Sequence, residues 1–290
     1  MTLKKDKKSA IQGVLYVIVS ATLFGINPSL QKIVLQQGVT PMALIGVSYS
    51  VVAILSFGAS FIKREDLHIK KRQIVQLLAM GTFGMGGTSF LLNTAYSYLP
   101  VGLVTTLHFL YPTVVCVAMS LIFREKFTWK KAAAILLSLG GLFLMQATGT
   151  GLSTIGVLIA ISSAFTYTMY VILNERGMTG ELSQQVKLFY IASGVAVPYT
   201  LIAALTGATF PSDVRTLSLN LLVGMLYTFS IGFLNTGIRK IGAVKASFIS
   251  ILEPITSVLL STILFHYQLG KEIIIGCCLI IGAILFITRE

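Results

Sequence analysis

Charge is scarce in this chain of 290 residues: Asp, Glu, Lys and Arg make up 11% of it, and only 10 residues are acidic. A soluble domain of this size carries about 25% charged residues, so a water-facing globule is excluded. Cysteine is equally scarce. Cys116, Cys277 and Cys278 all fall inside apolar runs, where they act as small hydrophobes. No disulfide framework or metal spacing is present, and no metal or cofactor is expected. There is no Walker A pattern, so ATP would need a separate subunit. H-E-x-x-H and G-x-S-x-G are absent, and no second acid joins the one that lies well inside an apolar span. An intramembrane enzyme would need such a constellation, and the chain is not expected to be one.

What the chain has instead is apolar length. It is 55% hydrophobic with a mean hydropathy of +0.85. Lipid admits two spanning designs, helices and closed barrels. Barrel strands alternate apolar and polar residues over about 10 positions. Here the apolar runs are continuous and roughly 20 residues long, the helical length. The expected fold is an all-α polytopic membrane protein with ten spans, at 11–34, 42–62, 74–98, 102–123, 130–147, 153–173, 187–206, 218–238, 244–265 and 272–288. The connecting loops are short, with no soluble domain between them. Met1 to Lys8 form a basic tail before a run too long for a signal peptide, and that run contains Asn27 and Pro28.

The formal charge of +12 sits in short loops, so a membrane explains it and a nucleic acid is not an expected partner. With ten spans, the basic residues fall on one side except Lys32, Arg215 and Lys271. Lys187 counts with the majority as a residue at the loop edge. The bias makes both termini cytoplasmic.

Sliding the chain on itself by 142 residues aligns its halves. Leu92-Asn93-Thr94 falls on Leu234-Asn235-Thr236, Leu110-x-Pro112 on Leu252-x-Pro254, Leu121-Ile122-Phe123 on Ile263-Leu264-Phe265, and Gly140 on Gly282. One further residue of offset brings Gly13-Val14-Leu15 onto Gly156-Val157-Leu158, and Ser20-Ala21 onto Ser163-Ala164. The expected units are residues 1–148 and 149–290, forming one integrated membrane domain. Five spans is an odd number, so the second unit enters the membrane from the opposite face. Inverted repeats of this kind build transporters whose substrate site lies near the midplane.

These residues resemble the drug/metabolite transporter superfamily, EamA-type, over nearly the whole chain. The features that carry the resemblance are Phe24-Gly25-Ile26-Asn27-Pro28, Leu110-Tyr111-Pro112, Phe123-Arg124-Glu125-Lys126, Leu252-Glu253-Pro254 and Gly282. His266-Tyr267-Gln268-Leu269 departs from it, since the family often has an acid there. The resemblance implies ATP-independent transport of a small metabolite, often amino-acid export, in a bacterial cytoplasmic membrane.

Polar residues inside spans mark the candidate site. A charge at a helix centre costs roughly 2.5–3.5 kcal/mol by insertion scales. Glu253 is therefore either a proton-coupling group, a ligand for a cation, or a carboxyl bonded to a neighbouring helix beside Pro254. Ser247, Ser250 and Glu253 form one helical stripe, matched through the repeat by Thr105, His108 and Tyr111. His108 is either a proton carrier or a neutral ring bonded across helices. Ser20, Phe24, Asn27 and Gln31 share one face of the first span; Ser163, Tyr167, Tyr170 and Asn174 share the corresponding face of the sixth. The cavity is thus expected to be lined by Phe24, Asn27, Thr105, His108, Tyr111, Tyr167, Tyr170, Ser247, Ser250 and Glu253, with Glu253 and His108 as coupling candidates. Asn93 and Asn235 either join it or bond between helices. The expected activity is secondary transport of a small organic solute by alternating access, most simply an amino acid or related amphipathic molecule. A channel and a lipid flippase are the alternatives. Expected partners are the small-molecule substrate and the lipid bilayer.

Overall fold

The computed structural model describes residues 2–99, 101–145, 153–256 and 271–288. Parts of the windows 130–147 and 244–265, the Ile263–Phe265 match, the His266–Leu269 segment and Arg289 lie outside the described residues. The elements are α1 (Thr2–Gln36), α2 (Pro41–Ile62), α3 (Lys71–Ala79), a π-helical segment (Met80–Gly86), α4 (Gly87–Ala95), α5 (Val101–His108), α6 (Tyr111–Phe123), α7 (Trp129–Met145), α8 (Thr154–Arg176), α9 (Gln184–Leu205), α10 (Val214–Ile241), α11 (Ala243–Ile249) and α12 (Lys271–Thr288). Residues 252–256 are also helical, after a turn at 250–251.

Among the described residues, six helical stretches are long and apolar enough to cross a membrane: Ser9–Gln36, Pro41–Ile62, Lys71–Ala95, Thr154–Arg176, Gln184–Leu205 and Val214–Ile241. Polarity is reversed relative to a water-soluble protein. Ser20, Ser48, Ser163, Asn220 and Ser230 are wholly buried, whereas Ile62, Leu121 and Leu205 stand about four-fifths exposed. Only a lipid exterior makes that distribution favourable.

The principal helix pairs are α2 with α9, α1 with α10, α7 with α12, and α4 with α8. Glycine sets the closeness of several. A methyl group on Gly13 would lie 2.8 Å from the Lys240 side chain and would also strike Ile241; one on Gly156 would lie 2.7 Å from both Tyr98 and Leu99. α1 can therefore approach α10, and α8 the turn that follows α4, only because no Cβ intervenes.

Backbone pairing explains the irregular third stretch. Pro198 lies inside α9 and has no N–H to give to the carbonyl of Gly194. In lipid that carbonyl cannot turn to water. The Thr82 hydroxyl donates to it at 2.6 Å. Thr82 reaches α9 from the π-helical segment, where the Gly87 N–H bonds back to Thr82 O. The glycines of this segment admit the approach: Gly81 abuts the Ile191 carbonyl and the Gly194 Cα, and Gly84 meets the Tyr170 Cβ.

Charge gathers at one end of the bundle. Arg176, the last residue of α8, pairs with Glu125 beyond α6, and its Nε lies 3.4 Å from Glu175. Glu175 accepts the Ala243 N–H at the start of α11, after the left-handed Gly242. Lys131 lies 3.7 Å from Glu125. Lys187 departs from the loop-edge expectation: it is fully buried in the second turn of α9, because that helix begins at Gln184. Asp213 caps α10. The Thr216 hydroxyl and N–H hold its carboxyl below the usual carboxylate range. The contribution of that depressed group to stability is full at neutral pH and is lost as pH falls through the lowered value.

The Thr82–Gly194 bond yields a stability test. Thr82→Val should lower unfolding stability in detergent by about 1–2 kcal/mol. In a Pro198→Ala background, where the helix can supply its own N–H, the same change should cost clearly less. Equal costs in both backgrounds would show that the hydroxyl does not substitute for the missing donor.

Candidate functional site

Two stretches of chain break at the same kind of place. α5 stops at His108, and a turn at 109–110 leads into α6. α11 stops at Ile249, and the turn at 250–251 leads into 252–256. Each break precedes a proline. Pro112 cannot bond to the His108 carbonyl, and Pro254 cannot bond to that of Ser250. The Ser250 carbonyl instead accepts the Glu253 N–H at 3.0 Å, in the tighter i to i+3 pattern. The breaks are held together by the Tyr111 hydroxyl, which donates to the Ser247 carbonyl at 3.2 Å.

A cavity of about 80 Å³ lies beside these breaks. Its wall takes in Phe24, Asn27, Thr105, His108, Tyr167 and Glu253 from the sequence-predicted set.

Tyr111, Tyr170, Ser247 and Ser250 were expected on the wall and are not on it. Their polar groups are used inside the protein. Tyr111 holds Ser247 as described, and the Tyr170 hydroxyl donates to Asn235 Oδ1, which also accepts from Asn174. Ser247 and Ser250 turn back onto the carbonyls of Val244 and Ala246 at 2.8 and 3.0 Å. Tyr111 and Tyr170 still shape the site from behind, since both pack against Tyr167 at ring distances of 4.7 and 5.8 Å.

Several wall residues were not in the predicted set. Gln31 lies one turn beyond Asn27 and donates to the Tyr227 hydroxyl at 3.0 Å. Tyr227 stacks on Tyr49 at 5.2 Å and meets Phe24 edge-on at 6.0 Å. Thr88, Ser89 and Asn93 complete the polar wall from α4, and Tyr96 follows just beyond it. The available signal for Tyr227 was its position eight residues before Asn235, two turns along one helix face. Asn93 lines the cavity, whereas Asn235 serves an interhelical network.

Bonding around His108 sets its tautomer. The Ser163 hydroxyl donates to the Ala160 carbonyl at 2.6 Å, so its oxygen is left to accept. His108 Nδ1 stands 3.0 Å from that oxygen and must carry the proton. Nε2 is then an acceptor. The ring is bonded across helices, from α5 to α8. The Glu253 carboxyl, in contrast, makes no hydrogen bond or ion pair with any described residue. Gly25 packs directly on its backbone: a methyl there would lie 2.7 Å from the Glu253 carbonyl oxygen.

Comparison with known proteins adds the following. The EamA-like transporter family model matches residues 11–147 and, separately, 154–289. The chain is 23% identical over 277 residues to the uncharacterized transporter YvbV of Bacillus subtilis, covering 92% of this chain and 88% of that protein. It is 24% identical over 296 residues to the uncharacterized inner membrane transporter YicL of Salmonella typhimurium, covering 97% of each. A solved crystal structure matches with a TM-score of 0.78 and 16% identity over 98% of this chain and 99% of that one, a likeness of fold.

The His108 assignment can be checked by imidazole 15N chemical shifts. The wild type should show a neutral ring protonated at Nδ1, and Ser163→Ala should release it to a mixture of tautomers. A wild-type ring already protonated at Nε2 would contradict the hydrogen-bond reading.

Proposed function

The chain belongs to the EamA-like transporter family, and from that premise we propose that it is a secondary carrier that admits a small organic solute to the cavity beside Glu253 by alternating access. The protein is a multi-pass membrane transporter by its family and its relatives. The finer reading has ten spanning helices in two inverted repeats, residues 1–148 and 149–290, with both termini in the cytoplasm. Its substrate is an amino acid or a related amphipathic solute, moved outward across a bacterial cytoplasmic membrane.

One observation supports this reading: contacts between the two halves recur with the halves exchanged, at the offset found in the sequence. Gly13 packs on Lys240 and Ile241, and Gly156 packs on Tyr98 and Leu99. Shifts of 142 and 143 residues turn the one contact into the other. Gly25 packs on the Glu253 carbonyl, and the Thr168 hydroxyl donates to the Tyr111 carbonyl at 3.4 Å. The same shifts relate these two as well. The breaks at 109–110 and 250–251 correspond to within one residue, and Pro112 and Pro254 correspond directly. A pair of discontinuous helices at the junction of inverted repeats is the arrangement that carriers use for a midplane site.

Glu253 is the coupling group in this reading. It is an acid on the cavity wall without a bonding partner, so protonation and substrate binding compete for it directly. His108 supports it as a second proton acceptor through Nε2.

Counterflow in liposomes tests the proposal. The wild type should exchange a saturable amine or amino-acid solute and accumulate it against a gradient when a pH difference is imposed. Glu253→Gln should retain exchange at equal pH but lose accumulation driven by the pH difference. Unchanged pH-driven accumulation in the variant would remove Glu253 from the coupling role, and conductance without saturable exchange would replace the carrier by a channel.

A further inference from the structure

The two discontinuous helices, α5 with α6 and α11 with 252–256, reach the cavity wall through Thr105, His108 and Glu253. At the charged end of the bundle both are tied to a third wall helix, α8, by its last two residues. Arg176 pairs with Glu125 beyond α6, and Glu175 accepts the Ala243 N–H at the start of α11. The Arg176 Nε lies 3.4 Å from Glu175, so one guanidinium serves both acids. Its Cζ stands 5.4 Å from the centre of the Phe123 ring, and Lys131 brings a second cation 3.7 Å from Glu125. Tyr167 lines the cavity from the same helix. Arg176 is about 13 Å further along it, at a rise of about 1.5 Å per residue. An isolated exposed ion pair contributes little, and a network contributes more. Here the Arg176, Glu125 and Glu175 side chains are 39%, 27% and 21% exposed, and each meets at least two partners.

The opposite end is closed differently. There the Thr40 N–H donates to the Thr209 carbonyl at 3.1 Å, and Gly156 packs on Tyr98 and Leu99. Among the described residues, no ion pair joins two elements at that end. Exchanging the halves does not supply one. A shift of 142 places Tyr267 opposite Glu125, and a shift of 143 places Lys32 and Ile33 opposite Glu175 and Arg176. When two faces open in turn, a closure present on only one of them biases the equilibrium towards the state sealed there.

We infer that Arg176, held between Glu125 and Glu175, is the closure of the face that carries the basic loops, pinning both discontinuous helices to α8 and making the state sealed on that face the resting state. This rests on the alternating-access reading and names the contact that must part for the cavity to open towards the cytoplasm in the proposed orientation. A second cavity, of about 240 Å³, lies beside the cluster with Glu125, Lys131, Glu175 and Gly242 in its wall. It gives the freed side chains room to withdraw.

The test uses the full chain in oriented vesicles, with Cys116, Cys277 and Cys278 replaced by serine and Tyr167→Cys as the reporter. Labelling by a membrane-impermeant thiol reagent is timed from each face, and the ratio of the two rates reads which face is open. The parent should react faster from the face opposite the cluster. Arg176→Gln should raise the rate from the charged face by about fivefold and lower it from the other. Glu125→Gln should move the ratio the same way, and combining the two should add little to Arg176→Gln alone. Thr82→Val, which weakens packing elsewhere, should leave the ratio where it is. If one of the charge variants does not fold, the other decides. An unchanged ratio, an equal shift from Thr82→Val, or a parent that reacts faster from the charged face overturns the inference and leaves the carrier standing. Shifted ratios without saturable exchange of any solute would keep the closure and remove the carrier. A parent that reacts from neither face would remove both.

Discussion

Every backbone carbonyl released inside a lipid-embedded helix must find another donor, and this constraint organises the interior. Water cannot serve in the hydrocarbon region. Each proline inside a helix therefore requires a nearby solution. At Pro198 the solution is the Thr82 hydroxyl, which in turn needs the glycine-rich π-helical segment to bring it within reach. At Pro112 and Pro254 the chain does not continue as a regular helix. It breaks, and the broken ends cluster beside the cavity. The same shortage of donors that shapes the scaffold thus makes the centre of the molecule irregular and polar.

The cavity follows from what the interior polar groups do with their bonds. Most are committed: Ser20 to the Ser230 carbonyl, Ser48 to Asn220, Tyr170 to Asn235, and Ser163 to His108. These fix neighbouring helices and leave nothing for a solute. Among the buried polar atoms left without a partner, those of Asn27, Tyr49 and Asn93 lie on the cavity wall, beside Glu253. At one end of the bundle, Arg176 with Glu125 and Glu175 ties the chain beyond α6, the end of α8 and the start of α11. That arrangement has no counterpart through the repeat, since the position related to Glu175 is Lys32 and that related to Arg176 is Ile33.

The helical, membrane-embedded class was legible because lipid demands long apolar runs, and the chain supplies them. The family was legible from short motifs in order, such as Phe24 to Pro28 and Leu252 to Pro254. Part of the cavity wall was legible too, because Asn27, His108 and Glu253 are costly in lipid unless they face inward. The rest was hidden for identifiable reasons. Tyr111 and Tyr170 look like wall residues by spacing, but spacing does not say whether a hydroxyl is already bonded. Tyr49 and Tyr227 lie on helices whose outward faces are as apolar as their inward ones, so no periodicity distinguishes the faces. Lys187 read as a loop-edge cation because its burial depends on where α9 starts.

The central claim is that both sides of the membrane reach one cavity in turn. Tyr167 lines it, and Tyr167→Cys can be introduced after Cys116, Cys277 and Cys278 are replaced by serine. Labelling with a membrane-impermeant thiol reagent in oriented vesicles is the most direct measurement. The account predicts reaction from each side, slowed from both by a bound solute. Reaction from one side only under every solute and pH condition, or from neither, would contradict it.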